Sequence, residues 1–378
     1  VKEIAHNKRL KIILDRAVDG QSPTYEDILF ILSLSDEKSL SDLFQAARKV
    51  RKRHFGNRVF LYGFLYFNTH CCNDCIFCQY RKSNKDLIRY RKSSSEIKET
   101  IETMAESGVH LIDLTMGEIA ASQQEAEIEY QRLRSLVRLA SDTSDVPLMV
   151  SPGVIPSNEL QRLATAGASW YACYQETYNR SLFSRMRIGQ SFDTRIAAKV
   201  LAREMGMLIE EGMLIGIGES ANDAAETILS MRTLDADQVR VMTFVPQTGT
   251  PMADQLPPDE IRELIVIAIL RLSLPNKLIP ASLDVKGLDG LEKRLNAGAN
   301  VVTSLVVPGK GLAGVANHSL DIEQARRTPK AILPILTACD LEAATLDEYL
   351  RWIESQKRYR LTMGQICSLP NKVAEKVA

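Results

Sequence analysis

Positive and negative side chains cancel in this chain. Lys plus Arg and Asp plus Glu each total 47 among 378 residues, so no field of one sign is available to draw in nucleic acid or an anionic membrane surface. The basic run from Arg48 to Arg53 is short and fits the solvated face of a helix. Long apolar runs are missing too. The longest, such as Val59 to Phe67 and Leu264 to Leu270, fall well short of the ~20 residues that span a bilayer. Val1 to Leu10, with Lys2, Glu3, Lys8 and Arg9, contains no apolar stretch of signal-peptide length. A small-molecule substrate is therefore expected, with no nucleic-acid partner, no membrane and a cytoplasmic location. No internal repeat of fixed length and no low-complexity tract interrupts the chain. His54 and His110 have no evident partner and are read as structural.

Cysteine is scarce outside one place. Of seven, Cys71, Cys72, Cys75 and Cys78 crowd together, while Cys173, Cys339 and Cys367 stand singly. That odd, clustered count argues against a disulfide framework and for a reducing compartment and metal ligation. Stability does not need the cysteines, because a 45% hydrophobic and 25% charged composition is ordinary for a globular core.

Residues 1–56 read as a helical extension. Ile4 to Ala17 is apolar at helical spacing, Ser22 to Asp27 opens a second helix with a capping residue and early acids, and Asp36 to Phe55 forms a third. From Val59 the texture changes to short apolar runs alternating with helical patterns. Strands are expected at Val59 to Phe67, Leu111 to Thr115, Leu148 to Val150, Trp170 to Tyr174, Met207 to Ile215, Gln238 to Phe244, Leu278 to Ala281 and Asn300 to Thr303. Helices are expected at Ser95 to Glu106, Glu125 to Ser141, Ser157 to Ala166, Phe192 to Glu204, Asn222 to Arg232, Pro258 to Leu272 and Gly287 to Ala297. Eight such units predict an α/β fold, a (β/α)8 TIM-type barrel over 57–310, with its active site at the C-terminal strand ends. An open doubly wound sheet is the alternative. Residues 311–378 read as a helical segment, with a helix over Leu341 to Lys357, and an eleven-residue tail.

Directly after the first expected strand, Cys71, Cys75 and Cys78 are spaced C-x3-C-x2-C. Three thiolates on one loop can hold three irons of a cubane and leave the fourth open for chemistry. A structural zinc site would want a fourth ligand, typically from a second C-x2-C or H-x3-H, and none is present. Cys72 is read as a bystander. Further polar residues fall at strand ends or inside strands: Asp113, Arg240, and Ser282 with Asp284. Charges inside apolar strands are costly unless paired. One reading is an internal salt bridge between Arg240 and Asp113 or Asp284. The other is that two acids and one Arg complement a ligand with two ammonium groups and one carboxylate, such as lysine or ornithine.

The cysteine spacing, with Phe77 directly before the last cysteine, resembles the radical S-adenosylmethionine (SAM) superfamily. The resemblance implies a [4Fe-4S] cluster on Cys71, Cys75 and Cys78, SAM bound at the open iron, an external one-electron donor such as flavodoxin or ferredoxin, and sensitivity to oxygen. Met116-Gly117-Glu118 resembles the family's GGE motif, whose backbone carbonyls meet the SAM ammonium; Met116 stands where the first glycine would. Ser151 follows the third strand. By similarity to the biotin synthase and hydrogenase-maturase branch, Glu176 would take the ribose hydroxyls and Arg195 the methionyl carboxylate. Gly212 to Glu219 resembles the adenine-side GxIxGxxE motif, with Leu214 in place of isoleucine.

Longer strings resemble methylornithine synthases of pyrrolysine biosynthesis, from about Ala47 to Ser304. They are Gln175 to Tyr178, Arg187 to Asp193, Val239 to Phe244, Ile279 to Asp284 and Arg294 to Asn300. That resemblance implies isomerisation of L-lysine to (3R)-3-methyl-D-ornithine, by hydrogen abstraction, fragmentation and recombination, with SAM as a regenerated cofactor. Arg240 would hold the substrate carboxylate, and Asp113, Ser282 and Asp284 its amino groups. Pro246 to Pro251 is read as backbone geometry. A maturase-like radical enzyme acting on another small amino acid is the nearest alternative; a non-catalytic iron-sulfur carrier or sensor is a more distant one.

Overall fold

The computed structural model describes residues 2–118, 123–312, 314, 324 and 326–367. Three helices come first: α1 (Lys2–Val18), α2 (Tyr25–Leu32) and α3 (Glu37–Phe55). Capping residues fix where they begin. The Thr24 hydroxyl accepts from Asp27 N at 3.2 Å while Asp27 takes Thr24 N at 3.0 Å, a reciprocal box that starts α2. Asp36 caps α3 by accepting from Ser39 N at 2.9 Å.

The barrel then runs β1 (Arg58–Asn68), α4 (Ser94–Glu106), β2 (Leu111–Met116), α5 (Gln123–Thr143), β3 (Leu148–Ser151), α6 (Ser157–Ala166) and β4 (Ala168–Ala172). It continues α7 (Arg180–Met186), α8 (Phe192–Glu204), β5 (Leu208–Ile215), α9 (Ala221–Leu234), β6 (Gln238–Thr243) and α10 (Glu260–Ser273). It ends β7 (Pro280–Ser282), a 3-10 turn (Gly287–Gly290), α11 (Leu291–Asn296) and β8 (Val301–Leu305). The strands are all parallel and lie in the order β6-β5-β4-β3-β2-β1-β8-β7, so the expected barrel is the architecture observed.

Closure between β6 and β7 is short. Leu278 bridges Gln238 in parallel, with Val239 N and Leu278 N each donating across the seam at 3.0 Å. Strand alternation then turns Ile279 toward β8, where it bonds Asn300, and returns residue 280 to the β6 side. Residue 280 is proline, which has no N–H to give, so the ladder stops there and the seam opens toward the C-terminal mouth.

The period-two pleat of β1 sends Val59, Leu61, Leu65 and Phe67 out against the helices and Phe60, Tyr62, Phe64 and Tyr66 into the barrel. After β8, α12 (Pro329–Ala338), β9 (Glu342–Ala343) and α13 (Leu346–Cys367) return to the N-terminal end. There β9 pairs with Arg58 and Val59 of β1. Tyr349 and Trp352 of α13 pack on Phe60, and Trp352 stacks on Trp170 at 6.0 Å. Tyr62 and Tyr349 share a 2.8 Å hydroxyl bond. This aromatic plug closes the bottom of the barrel, which leaves the mouth at the other end for chemistry.

Differences from the sequence reading have local causes. The fourth strand ends at Ala172, two residues early, and beyond it Gln175 N bonds the Glu211 side chain rather than the backbone of β5. The last helix starts at Leu346, since residues 342–343 pair with β1 and Thr345 N is taken by the Glu348 carboxylate at 2.7 Å. Helices α7 and α12 and strand β9 were not expected. The expected tail at 368–378 lies outside the described residues. Among the described residues no helix is long and apolar enough to cross a membrane.

Candidate active site

A cavity with room of about 210 Å3 for water-sized molecules opens at the C-terminal mouth. Cys71, Cys75 and Cys78 line it from the loop after β1. Side chains and backbone pin that loop on three sides. Cys72 N donates to Glu118 O at 3.1 Å, Ile76 N to Met186 O at 3.0 Å and Lys82 N to Asn73 O at 2.8 Å. The Asp74 carboxylate takes Ser83 N at 3.0 Å and Ser83 Oγ at 2.6 Å. Cys72, read as a bystander, is not among the lining residues. Its thiol hydrogen bonds bring Cys71 down to about 7, whereas burial pushes Cys78 up.

Gly117 is required where the loop meets β2. A Cβ there would stand 2.2 Å from His70 O and 2.6 Å from the Cys71 Cβ, so only glycine lets the two segments touch. Gly153 plays the same part for Glu118: at φ +75° its missing Cβ leaves the space the Glu118 carboxylate occupies. Met116, Gly117, Glu118 and Ser151 all line the cavity. Arg195, on the first turn of α8, reaches Glu118 Oε2 at 3.1 Å and Gln190 Oε1 at 3.0 Å, and donates to Tyr174 O from Nη2 at 3.0 Å and Nε at 3.2 Å.

Glu176 sits at φ +67°, bridged to Met213, with its Oε1 bound by Arg187 at 2.6 Å. Its other oxygen is buried without a partner, and burial pushes the carboxyl up despite Arg187. Burial opposes the charge on Arg187 too, but Cys75 and Glu176 more than offset it and hold the guanidinium ionised. Arg187 Nη1 lies 3.6 Å from Cys75 Sγ, and Gln190 Nε2 lies 3.0 Å from the same sulfur. Phe77 packs with Leu214, Ile217, Phe244 and Met252 as an apolar slot beside the cysteines. Glu219 closes the loop behind that slot by accepting from Gly216 N and Ile217 N.

Deeper in the barrel, Asp113 from β2 accepts from Ser151 Oγ at 2.7 Å. Burial pushes its carboxyl up to about 7, the Ser151 bond working against that rise. The salt bridge allowed by the sequence, from Arg240 to Asp113 or Asp284, is not formed. Arg240 Nε binds Glu210 Oε1 at 2.5 Å, and Glu210 also takes Gln238 Nε2 at 2.6 Å and Tyr174 OH at 2.9 Å. Arg240 Nη2 remains buried without a partner. Asp284 is held by Arg327 Nη1 at 2.7 Å and Ser304 Oγ at 2.7 Å. Ser282 is not on the cavity wall; its hydroxyl stands behind, 3.3 Å from Asp284 Oδ2 and 3.4 Å from Ser304 Oγ.

The structure thus brings fourteen of the fifteen sequence-named residues to one cavity and puts Ser282 one layer back. It adds Arg187, Gln190, Glu210 and Arg327. For Glu210 a signal existed: Glu210 and Glu211 are adjacent acids in an otherwise apolar strand, and both are fully buried. His110, read as structural, accepts from Leu61 N at 2.8 Å and donates to Ala344 O at 2.8 Å, far from the cavity.

The donor set suits an iron–sulfur cluster. Three thiols from one loop face a common cavity, and two N–H donors already point at one sulfur, as a thiolate bound to iron requires.

Comparison with known proteins agrees. The sequence profile of the Radical SAM superfamily matches residues 65–231. The chain is 43% identical over 333 residues to 3-methylornithine synthase of Methanosarcina barkeri, covering 87% of this chain and 93% of that one. It is 28% identical over 282 residues to the [FeFe] hydrogenase maturase subunit HydE of Thermotoga maritima, covering 74% and 79%. The crystal structure of methylornithine synthase (PylB) superposes with a TM-score of 0.85 at 40% identity, over 90% of this chain and 99% of that one. HydG of Carboxydothermus hydrogenoformans, at 20% identity and a TM-score of 0.78, over 97% of this chain and 91% of that one, shares the fold. Family membership implies SAM and an iron–sulfur cluster, and the thiol loop, the paired acids and arginines and this identity across most of both chains lead to one assignment: the chain belongs to the 3-methylornithine synthase family of radical SAM proteins.

Proposed function

We propose that the chain is a lysine mutase, converting L-lysine to (3R)-3-methyl-D-ornithine in pyrrolysine biosynthesis. The 43% identity to a 3-methylornithine synthase across 87% of the chain carries this reading. Cys71, Cys75 and Cys78 would hold a [4Fe-4S] cluster. When bound, that cluster and SAM supply the 5′-deoxyadenosyl radical that takes and returns a substrate hydrogen, with the electron arriving from a flavodoxin or ferredoxin in the cytoplasm.

The chain's own residues do the rest. Glu176 and Arg195 suit the ribose hydroxyls and the methionyl carboxylate, the Phe77 and Leu214 slot suits the adenine, and Met116, Gly117 and Glu118 offer backbone to the ammonium. Arg240 has its Nη2 free of partners and can form a charge-assisted bond to a substrate carboxylate while Nε stays on Glu210. Asp113 and Asp284 suit the two substrate amines, and Ser282 serves by orienting Asp284. A plugged barrel floor and buried walls keep water out and keep the two halves of the carbon skeleton together while they rejoin.

The test is anaerobic incubation of the cluster-loaded protein with L-lysine, SAM and a strong reductant, followed by mass spectrometry and chiral chromatography. A lysine isomer matching 3-methylornithine supports the mutase. 5′-Deoxyadenosine without that isomer moves the assignment to a maturase-like enzyme acting on another small amino acid.

A further inference from the structure

Seven ionisable side chains other than cysteine and tyrosine line the cavity: Asp113, Glu118, Glu176, Arg187, Arg195, Arg240 and Asp284. Four ion pairs account for six of them. Glu118 pairs with Arg195 at 3.1 Å and Glu176 with Arg187 at 2.6 Å inside the wall. Arg240 and Asp284 are cancelled from behind, by Glu210 at 2.5 Å and Arg327 at 2.7 Å, neither of which reaches the cavity. Asp113 has no cation at salt-bridge distance among the described residues.

We propose that Arg327 is a positioning residue that sets the charge this cavity accepts: it neutralises Asp284 as Glu210 neutralises Arg240, and so leaves Asp113 as the single acid available to balance a substrate with one net positive charge. This rests on the proposed lysine substrate, whose two ammonium groups and one carboxylate sum to that charge.

Arg327 is well placed for the part. It is 1% exposed, its carbonyl accepts from Val306 N at 2.8 Å, and one guanidinium arm meets Asp284 Oδ1. Ser304 and Ser282 fix the other carboxylate oxygen, so the group is held in one orientation, and Oδ1 keeps a second lone-pair direction for a substrate amine. Around Asp113 stand Tyr66 from β1, Ser151 from β3, Tyr174 just after β4, Glu210 from β5, Arg240 from β6 and Asp284 after β7, with Thr115 on its own strand. Glu210 and Arg240 cancel there, and burial keeps the Asp113 carboxyl protonated up to about 7 when the cavity is empty. Binding a monocation then displaces that proton.

The experiment measures L-lysine affinity against pH on the cluster-loaded, SAM-bound protein under anaerobic conditions. For the native chain, affinity rises about tenfold per pH unit below the midpoint near 7 and levels off above it. Asp113→Asn flattens the profile. Arg327→Met moves the midpoint up, because Asp284 loses the cation beside it and stands in the cavity as a second, uncompensated acid, and Arg327→Lys brings it back. A role of Arg327 in folding alone would lower the amount of loaded protein and leave the midpoint in place. A flat native profile, or an unmoved midpoint in Arg327→Met, overturns the proposal while methylornithine formation leaves the function standing. Should Arg327→Met not fold, a profile that persists in Asp113→Asn overturns it equally. Absence of any lysine binding by the native protein fails the substrate reading instead.

Discussion

Replacing Lys199 by Met removes the ammonium paired with Glu211 and little else. Lys199 on α8 and Glu211 on β5 are both fully buried and paired, and the ammonium also donates to Gln175 Oε1 at 3.1 Å. Met has similar volume and adapts to the same channel, so the packing loss is small. Glu211 is left as a buried carboxylate with three donors: Gln175 N and Gly212 N at 2.8 Å and Tyr178 OH at 3.0 Å. Breaking one side of a buried pair costs about 3–5 kcal/mol, and the retained donors place this loss at the low end, about 3 kcal/mol. At roughly 2 °C per kcal/mol for a chain of this size, Tm falls by roughly 6 °C. Anaerobic calorimetry of the cluster-loaded protein reads that shift. Gln175 directly precedes Glu176, which is held at φ +67°, so SAM affinity should also drop several-fold at unchanged iron content. Adding Glu211→Gln should recover part of the stability, because a neutral amide needs no counter-charge. A Tm within a degree of native together with native SAM affinity would refute the argument.

Cys75→Ala should fail to assemble the cluster, read as iron and sulfide content; retention of a full complement would remove Cys75 from the ligand set. Arg240→Lys should still yield 5′-deoxyadenosine but lose about 100-fold in methylornithine turnover, since one ammonium cannot bond both Glu210 and a carboxylate across the cavity, a loss of about 3 kcal/mol. Burial lowers His110 to about 4 from an ordinary 6.5, so its contribution is complete above pH 6.5 and is lost as pH falls toward 4, by about 3 kcal/mol in all. His110→Gln should therefore show a shallower loss of urea midpoint between pH 6.5 and 4.5, and an identical slope would disprove the linkage.

The barrel was legible because parallel strands buried on both faces read as apolar runs, and because helices α6 and α8 begin and end where their sequence pattern does. Helix α7 was missed because seven residues give too few turns for a period, and with it went Arg187, which stands at its C-terminal cap. Strand β9 has two residues and exists only because the chain returns to pair with β1. Capping boxes were readable in advance at α2; the close approach that makes Gly117 obligatory was not, since it depends on where His70 and Cys71 lie in space.

The site divided along the same line. Residues that face a ligand sit at strand ends, where order along the chain repeats order around the barrel, so Asp113, Glu118, Ser151, Glu176 and Arg240 could be named from position. Their counter-ions follow no such order. Glu210 lies inside β5, five residues before its end, Arg187 at the C-terminal cap of α7 and Arg327 beyond the barrel altogether, each chosen by distance in three dimensions. Counting only the strand-end charges gave a cavity of two acids and one arginine. Counting the pairs gives one net acid, Asp113, and a cavity whose charge is decided largely by residues that never touch what it binds. Substitutions at Glu210 or Arg327 should accordingly alter which amino acids compete with lysine while leaving SAM affinity near native, because neither residue touches the Glu176 and Arg195 end of the cavity.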